Sequence, residues 1–143
     1  MSVAQVLQQS VSTFLSSLFE KMYSYDVDYF GSPDSEEMLE VVVQQTENKL
    51  TRTIVLRLSI NHTNKQIHLS NIFIPITEHN KGYGFGLIHQ ILTVANDSGY
   101  KLFIVDMVDS FYSRMISKGA KPVREADDAV LIDDETELLS HRS

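Results

Sequence analysis

Lys81-Gly82-Tyr83-Gly84-Phe85-Gly86, continuing as Leu87-Ile88-His89-Gln90-Ile91-Leu92-Thr93-Val94-Ala95-Asn96-Asp97-Ser98-Gly99, is the stretch on which the fold turns. Three glycines at alternate positions strip side chains from a loop, where each is free to take positive φ and let a ligand approach the backbone. Behind them Ile88, Ile91, Leu92 and Ala95 recur at helical spacing, and Gly99 supplies a stop. A helix that opens on a glycine loop leaves its first N–H groups unpaired at the positive end of its dipole. That is a site for an anion, most often a phosphate. Lys81 adds a positive charge at its mouth. Past the stop, Lys101-Leu102-Phe103-Ile104-Val105 is apolar on both faces, as in a buried strand. A strand–helix–strand unit of this length implies parallel pairing across a right-handed crossover.

Upstream, residues 2–22 carry Val3, Val6, Leu7, Val11, Phe14, Leu15, Leu18 and Met22 on one stripe, an amphipathic helix packed on a sheet. Ser2-Val3-Ala4-Gln5 has the capping-box form. Tyr23-Ser24-Tyr25-Asp26-Val27-Asp28-Tyr29-Phe30 reads as a loop or short irregular helix. Gly31-Ser32-Pro33-Asp34-Ser35-Glu36-Glu37 reads as a helix start, with Ser32 as cap and Pro33 in the first helical position, the helix ending near Glu40. Residues 41–45 are β-branched and short, and residues 53–60 and 66–75 alternate; together they predict an antiparallel meander. Turns are expected at 47–49 and 61–64. Residues 110–118 are helical, with Phe111, Met115 and Tyr112 inward and Gly119 as stop, and residues 129–132 form a last strand. Residues 135–143 are polar and expected to fray.

The 143 residues have the size of one domain, taken as 1–143, able to bury roughly 68–70% of its unfolded surface. With no cysteine, no disulfide forms, which suits a reducing, cytoplasmic setting. No basic segment precedes a continuous apolar run, so no signal peptide is read, and no run approaches the ~20 apolar residues of a membrane span. The net charge of −7 disfavours a nucleic-acid binder and is compatible with a cationic substrate such as an amine. The histidines, His62, His68, His79, His89 and His141, show no ligand spacing, so no metal is expected.

Three phosphate-binding devices compete for the glycines. A Walker A loop needs Gly-Lys-Ser/Thr at its end, and here Gly86 precedes Leu87. A dinucleotide fingerprint needs its glycines as G-x-G-x-x-G directly after a strand, although Asp106, twenty residues past Gly86, stands where a ribose-binding acid would. The third device is a Lys-Gly-x-Gly-x-Gly loop at a strand–helix junction of a mixed sheet. Phe73-Ile74-Pro75, then Lys81 to Ile88, then Ala95, Gly99-Tyr100, Leu102 to Val105, Phe111-Tyr112 and Lys118-Gly119-Ala120 together resemble the GNAT superfamily of acyl-CoA N-acyltransferases, over about 66–123. The resemblance implies an α/β (α+β) fold: a mixed, mostly antiparallel central sheet flanked by helices, with a β-α-β cofactor-binding unit. It implies acetyl-CoA, or coenzyme A, held by the amides of Gly82, Tyr83, Gly84, Phe85 and Gly86 with Lys81 nearby. It also places the pantetheine against backbone groups around Ile74 and Ile76. An amine-bearing acceptor, small molecule or protein, completes the reaction; a second copy of the chain is left open as a partner.

Aminolysis of a thioester needs a base for the amine, a donor for the tetrahedral oxyanion and an acid for the thiolate. The family often carries a glutamate on the strand before its loop; here His68, Ser70 and Asn71 occupy that region, and His68 is the candidate base. The connection from Pro75 to Lys81, which holds Glu78 and His79, is a few residues longer than the family's usual one. The family's thiolate acid, a tyrosine four residues before the terminal glycine, falls on Met115, which holds no proton to give; Tyr112, a helical turn earlier, is the candidate acid. These departures keep a second hypothesis open: a GNAT-fold binding or regulatory module without transfer activity, of a mobile element or phage.

Overall fold

A computed structural model of the chain describes residues 2–18, 23–32, 34–45, 52–71, 83–124 and 128–138, with 17–18, 23–25, 43–45, 52–55 and 83–84 by backbone alone. The order is α1 (Val3–Leu18), β1 (Tyr23–Gly31), β2 (Glu36–Gln45), β3 (Arg52–Asn61), β4 (Gln66–Ser70), α2 (Tyr83–Ser98), β5 (Lys101–Ile104), α3 (Asp109–Ser117), β6 (Lys121–Pro122) and β7 (Val130–Ile132). The strands form one seven-stranded sheet in the order β1-β2-β3-β4-β5-β7-β6. β4 and β5 pair in parallel, Gln66 opposite Lys101 through Leu69 opposite Ile104; the other pairs are antiparallel. The architecture is a mixed, mostly antiparallel open sheet with three helices among the described residues.

Alternation decides the faces. Leu56, Leu58 and Ile60 of β3, Ile67 and Leu69 of β4, Leu102 and Ile104 of β5, and Val130 and Ile132 of β7 are buried in one core. Leu7, Val11 and Leu15 of α1 and Leu87, Ile88 and Ile91 of α2 complete it. The intervening strand residues, Arg57, Ser59, His68 and Phe103, turn to the other face and are half-buried. On that face Arg57 holds Glu40 of β2 at 2.9 Å.

The helix ends follow their sequence signals. Gln5 N–H donates to Ser2 Oγ at 3.2 Å, and Ser2 N–H donates to Gln5 Oε1 at 2.9 Å, closing the capping box. Gly99 takes φ 78°, Tyr100 N–H reaches Ala95 O at 2.8 Å, and Gly99 N–H reaches Asn96 O at 3.2 Å. Gly119, at φ 97°, repeats the arrangement, with Ala120 N–H on Met115 O and its own N–H on Ile116 O, both at 3.0 Å. Both are Schellman stops.

Two expectations are overturned. Residues 23–30 are neither loop nor helix but β1, and the helix expected from Ser32 to Glu40 is instead a hairpin turn followed by β2. Tyr23, Tyr25, Val27 and Tyr29 alternate with Ser24, Asp26 and Asp28, a period of two. Ser-Pro-Asp serves a β-turn as well as a helix cap, because proline's fixed φ suits both. Here Ser35 N–H bonds back to Ser32 O at 3.1 Å, and Gly31 at φ 103° lets the chain reverse. The meander therefore has four strands, with residues 41–45 as the second half of β2. The short β6 was not anticipated. Residues 135–138 are tied down rather than frayed: Glu137 N–H donates to Lys118 O at 2.8 Å, and Thr136 and Leu138 are buried. The turn expected at 47–49, the end of the strand expected at 66–75 and residues 139–143 lie outside the described residues.

Candidate functional site

The candidate site takes in two features, the end of the parallel pair and the first turn of α2. The last rung between β4 and β5 is Val105 N–H to Leu69 O at 2.9 Å. Just beyond it both chains turn through left-handed backbone, Asn71 at φ 56° and Asp106 at φ 56°. Asparagine and aspartate tolerate that region better than other side chains. Carboxyl ends of parallel strands, where connections part, are where open sheets with helical crossovers bind ligands. Asp106, the residue a dinucleotide reading would use on a ribose, forms one of these two turns.

Tyr83, Gly84, Phe85 and Gly86 are the first turn of α2, not a loop. The expected free φ is not used: Gly84 is helical, and Gly86 is not among the positive-φ glycines. Gly86 has a packing role instead. A Cβ there would stand 3.3 Å from the ring of Phe14, so its absence lets α1 close onto the opening turn of α2. The amide argument is unaffected, since the first N–H groups of any helix have no partner four residues back. Lys81, Gly82, Ile74 and Ile76 lie outside the described residues.

α3 brings charge to this turn. The guanidinium of Arg114 lies 5.3 Å and the ammonium of Lys118 4.4 Å from the centre of the Phe85 ring, and Phe111 lies 6.4 Å from it. Two cations are thus held on the first turn of α2 by cation–π attraction, an arrangement complementary to a diphosphate. Sequence reasoning missed both residues. Their signal, two basic side chains four apart on one helix face, carries nothing until the fold sets that face against Phe85.

His68 stands in β4, opposite Phe103 of β5, with its ring stacked on Phe103 at 5.3 Å and 21°. Burial pushes its pKa below the usual 6.5, and the charge of Glu36 offsets this only in part. The imidazole is therefore neutral at pH 7 and able to accept a proton. Tyr112 is part-buried against the core on α3, and Met115 is fully buried (0% exposed) as a core side chain. Among the described residues no group of three or more histidine, cysteine, aspartate or glutamate side chains is placed to hold a metal ion. No described helix is long and apolar enough to cross a membrane.

No protein-family model and no curated protein matches the chain.

Proposed function

We propose that the chain is an acyl-CoA-dependent N-acyltransferase of GNAT type, acting from acetyl-CoA on an amine. The observation that carries the reading is the crossover: α2, which opens on Tyr83-Gly84-Phe85-Gly86, lies in the chain between β4 and β5, the one parallel strand pair among the described residues. Arg114 and Lys118 lie at the same turn. Helix amides bind phosphate oxygens without needing a side chain, and the two cations stabilise the remaining charge. The thioester carried by coenzyme A would supply the activated acyl group. His68, neutral at physiological pH, takes the amine's proton directly or through water, and the Tyr112 hydroxyl protonates the departing thiolate.

Two assays test this. Calorimetry with acetyl-CoA should give saturable heat that Gly84→Val removes, because a β-branched side chain in the first turn of α2 blocks close approach to the amides. Absence of heat and of any thermal shift at millimolar acetyl-CoA would overturn the reading. Thiol release over a panel of amines, polyamines and peptide N-termini should then show turnover that falls in Tyr112→Phe and His68→Gln. The burial of Met115, which leaves no proton donor at the family's usual position, favours one second reading: a module that binds coenzyme A without transfer. Binding with no thiol release on every amine tested is its signature.

A further inference from the structure

At the other end of the sheet lies a polar cluster that the acyl-transfer reading does not use. Glu37 of β2 is only 3% exposed, on the same face of the strand as the buried Leu39 and Val41. Its carboxylate is bonded on one oxygen by the Tyr29 hydroxyl and on the other by His62 Nε2, at 2.5 Å. His62 Nδ1 lies 2.7 Å from the Tyr100 hydroxyl. One proton order satisfies every member: Tyr100 donates to His62 Nδ1, His62 Nε2–H donates to Glu37, and Tyr29 donates to Glu37. Lys65 faces the end of this chain, 5.2 Å from the centre of the Tyr100 ring. A pocket of about 410 Å3 opens onto Glu37 between the first turns of α1 and the hairpin of β1 and β2. It is lined by Ser2, Ala4, Gln5, Gln8, Tyr29 and Glu37. That is the size of a small-molecule site.

A buried carboxylate is costly unless its charge is matched. Glu37 receives one hydrogen bond on each oxygen, from the Tyr29 hydroxyl and from His62 Nε2. Each of its oxygens keeps a further lone pair. Tyr29, 43% exposed, donates to it at the pocket wall, and the pocket's other described side chains are neutral: serine, alanine and two glutamines. The pocket therefore offers a carboxylate, two carboxamide oxygens and an aromatic ring, and no positive charge among its described lining residues. We propose that this pocket binds a small primary ammonium ion, with Glu37 as its counter-charge and Gln5 and Gln8 accepting its remaining N–H groups. Glu37 is then shared. The site depends neither on α2 nor on coenzyme A.

The test is an NMR titration of the His62 imidazole signal, assigned through His62→Gln, in the full chain with n-butylammonium chloride and with n-butanol as the neutral isostere. Saturable movement of the signal by n-butylammonium but not by n-butanol is expected. Glu37→Gln, checked for folding by circular dichroism, should weaken n-butylammonium at least about tenfold, the scale of one charge-assisted bond. Gln8→Leu, outside the hydrogen-bonded chain, should weaken it severalfold and decides the matter if Glu37→Gln does not fold. Equal response to n-butanol, no saturable response at millimolar amine, or undiminished binding in a folded Glu37→Gln or in Gln8→Leu overturns the proposal.

Discussion

His68 illustrates what one side chain's setting decides. Stacked on Phe103 and half-buried, it loses hydration, and its pKa in the folded protein lies below the 6.5 of the unfolded chain. Between that lowered value and about pH 6.5 the unfolded chain binds more protons than the folded one, so stability rises with pH there. Acidification through this window is expected to destabilise the protein, and His68→Gln to remove part of the loss. Urea midpoints at pH 7.5 and pH 5.5 for both proteins check it; an unchanged pH difference in the variant would contradict the assignment. Glycines show the same dependence on setting. At Gly31 a Cβ would stand 2.3 Å from Glu36 O with φ at 103°, so no other residue fits the hairpin. At Gly86 the neighbour is the ring edge of Phe14, a side chain able to yield slightly. The two glycines are indistinguishable as letters.

Elements show where local signals suffice. α1, α2 and α3 were legible because each buries one stripe and each carries a signal in its own sequence: the capping box of Ser2 and Gln5, and the glycine stops at Gly99 and Gly119. The first half of β2 was misread because Ser32-Pro33-Asp34 is compatible with two structures, and pairing with β1 and β3 selects the strand; β1, despite its period of two, pairs only with that misread strand. Glu37 could not be recognised as a partner of His62, since they meet only when the β2–β3 register brings Glu37 opposite Ile60. At this scale Arg114 of α3 and Lys118, which caps it, make a prediction. Arg114→Ala with Lys118→Ala should weaken acetyl-CoA binding by about tenfold or more, as expected for loss of charge-assisted contacts. It should also flatten the salt dependence of binding, because each lost cation removes a screened attraction. Isothermal titration at two salt concentrations, with a thermal melt to confirm folding, measures both.

Across the whole molecule, stability rests on the face where α1 and α2 cover the sheet. Leu58, in β3 between β2 and β4, is fully buried there, while its neighbour Ser59 points to the half-buried face. Leu58→Ala should cost about 2–5 kcal/mol through lost burial and a residual cavity. Ser59→Ala should change stability by no more than about 0.5 kcal/mol. Denaturant unfolding of the two variants compares the faces directly; similar losses would mean that the second face is packed as tightly as the first.

Local order came from the residues themselves: which segments alternate, which carry a helical stripe, where glycines stop a helix, and that a strand, a helix and a strand follow one another from residue 66 to 104. Those patterns need only neighbours within a turn or a pleat. The sheet's order, the turn of α2 into which Gly84 and Gly86 fold, the cations on Phe85 and the buried Glu37 with its histidine were decided by tertiary structure. Each depends on a contact between segments far apart in the chain, and no local preference specifies which distant partner a side chain will meet.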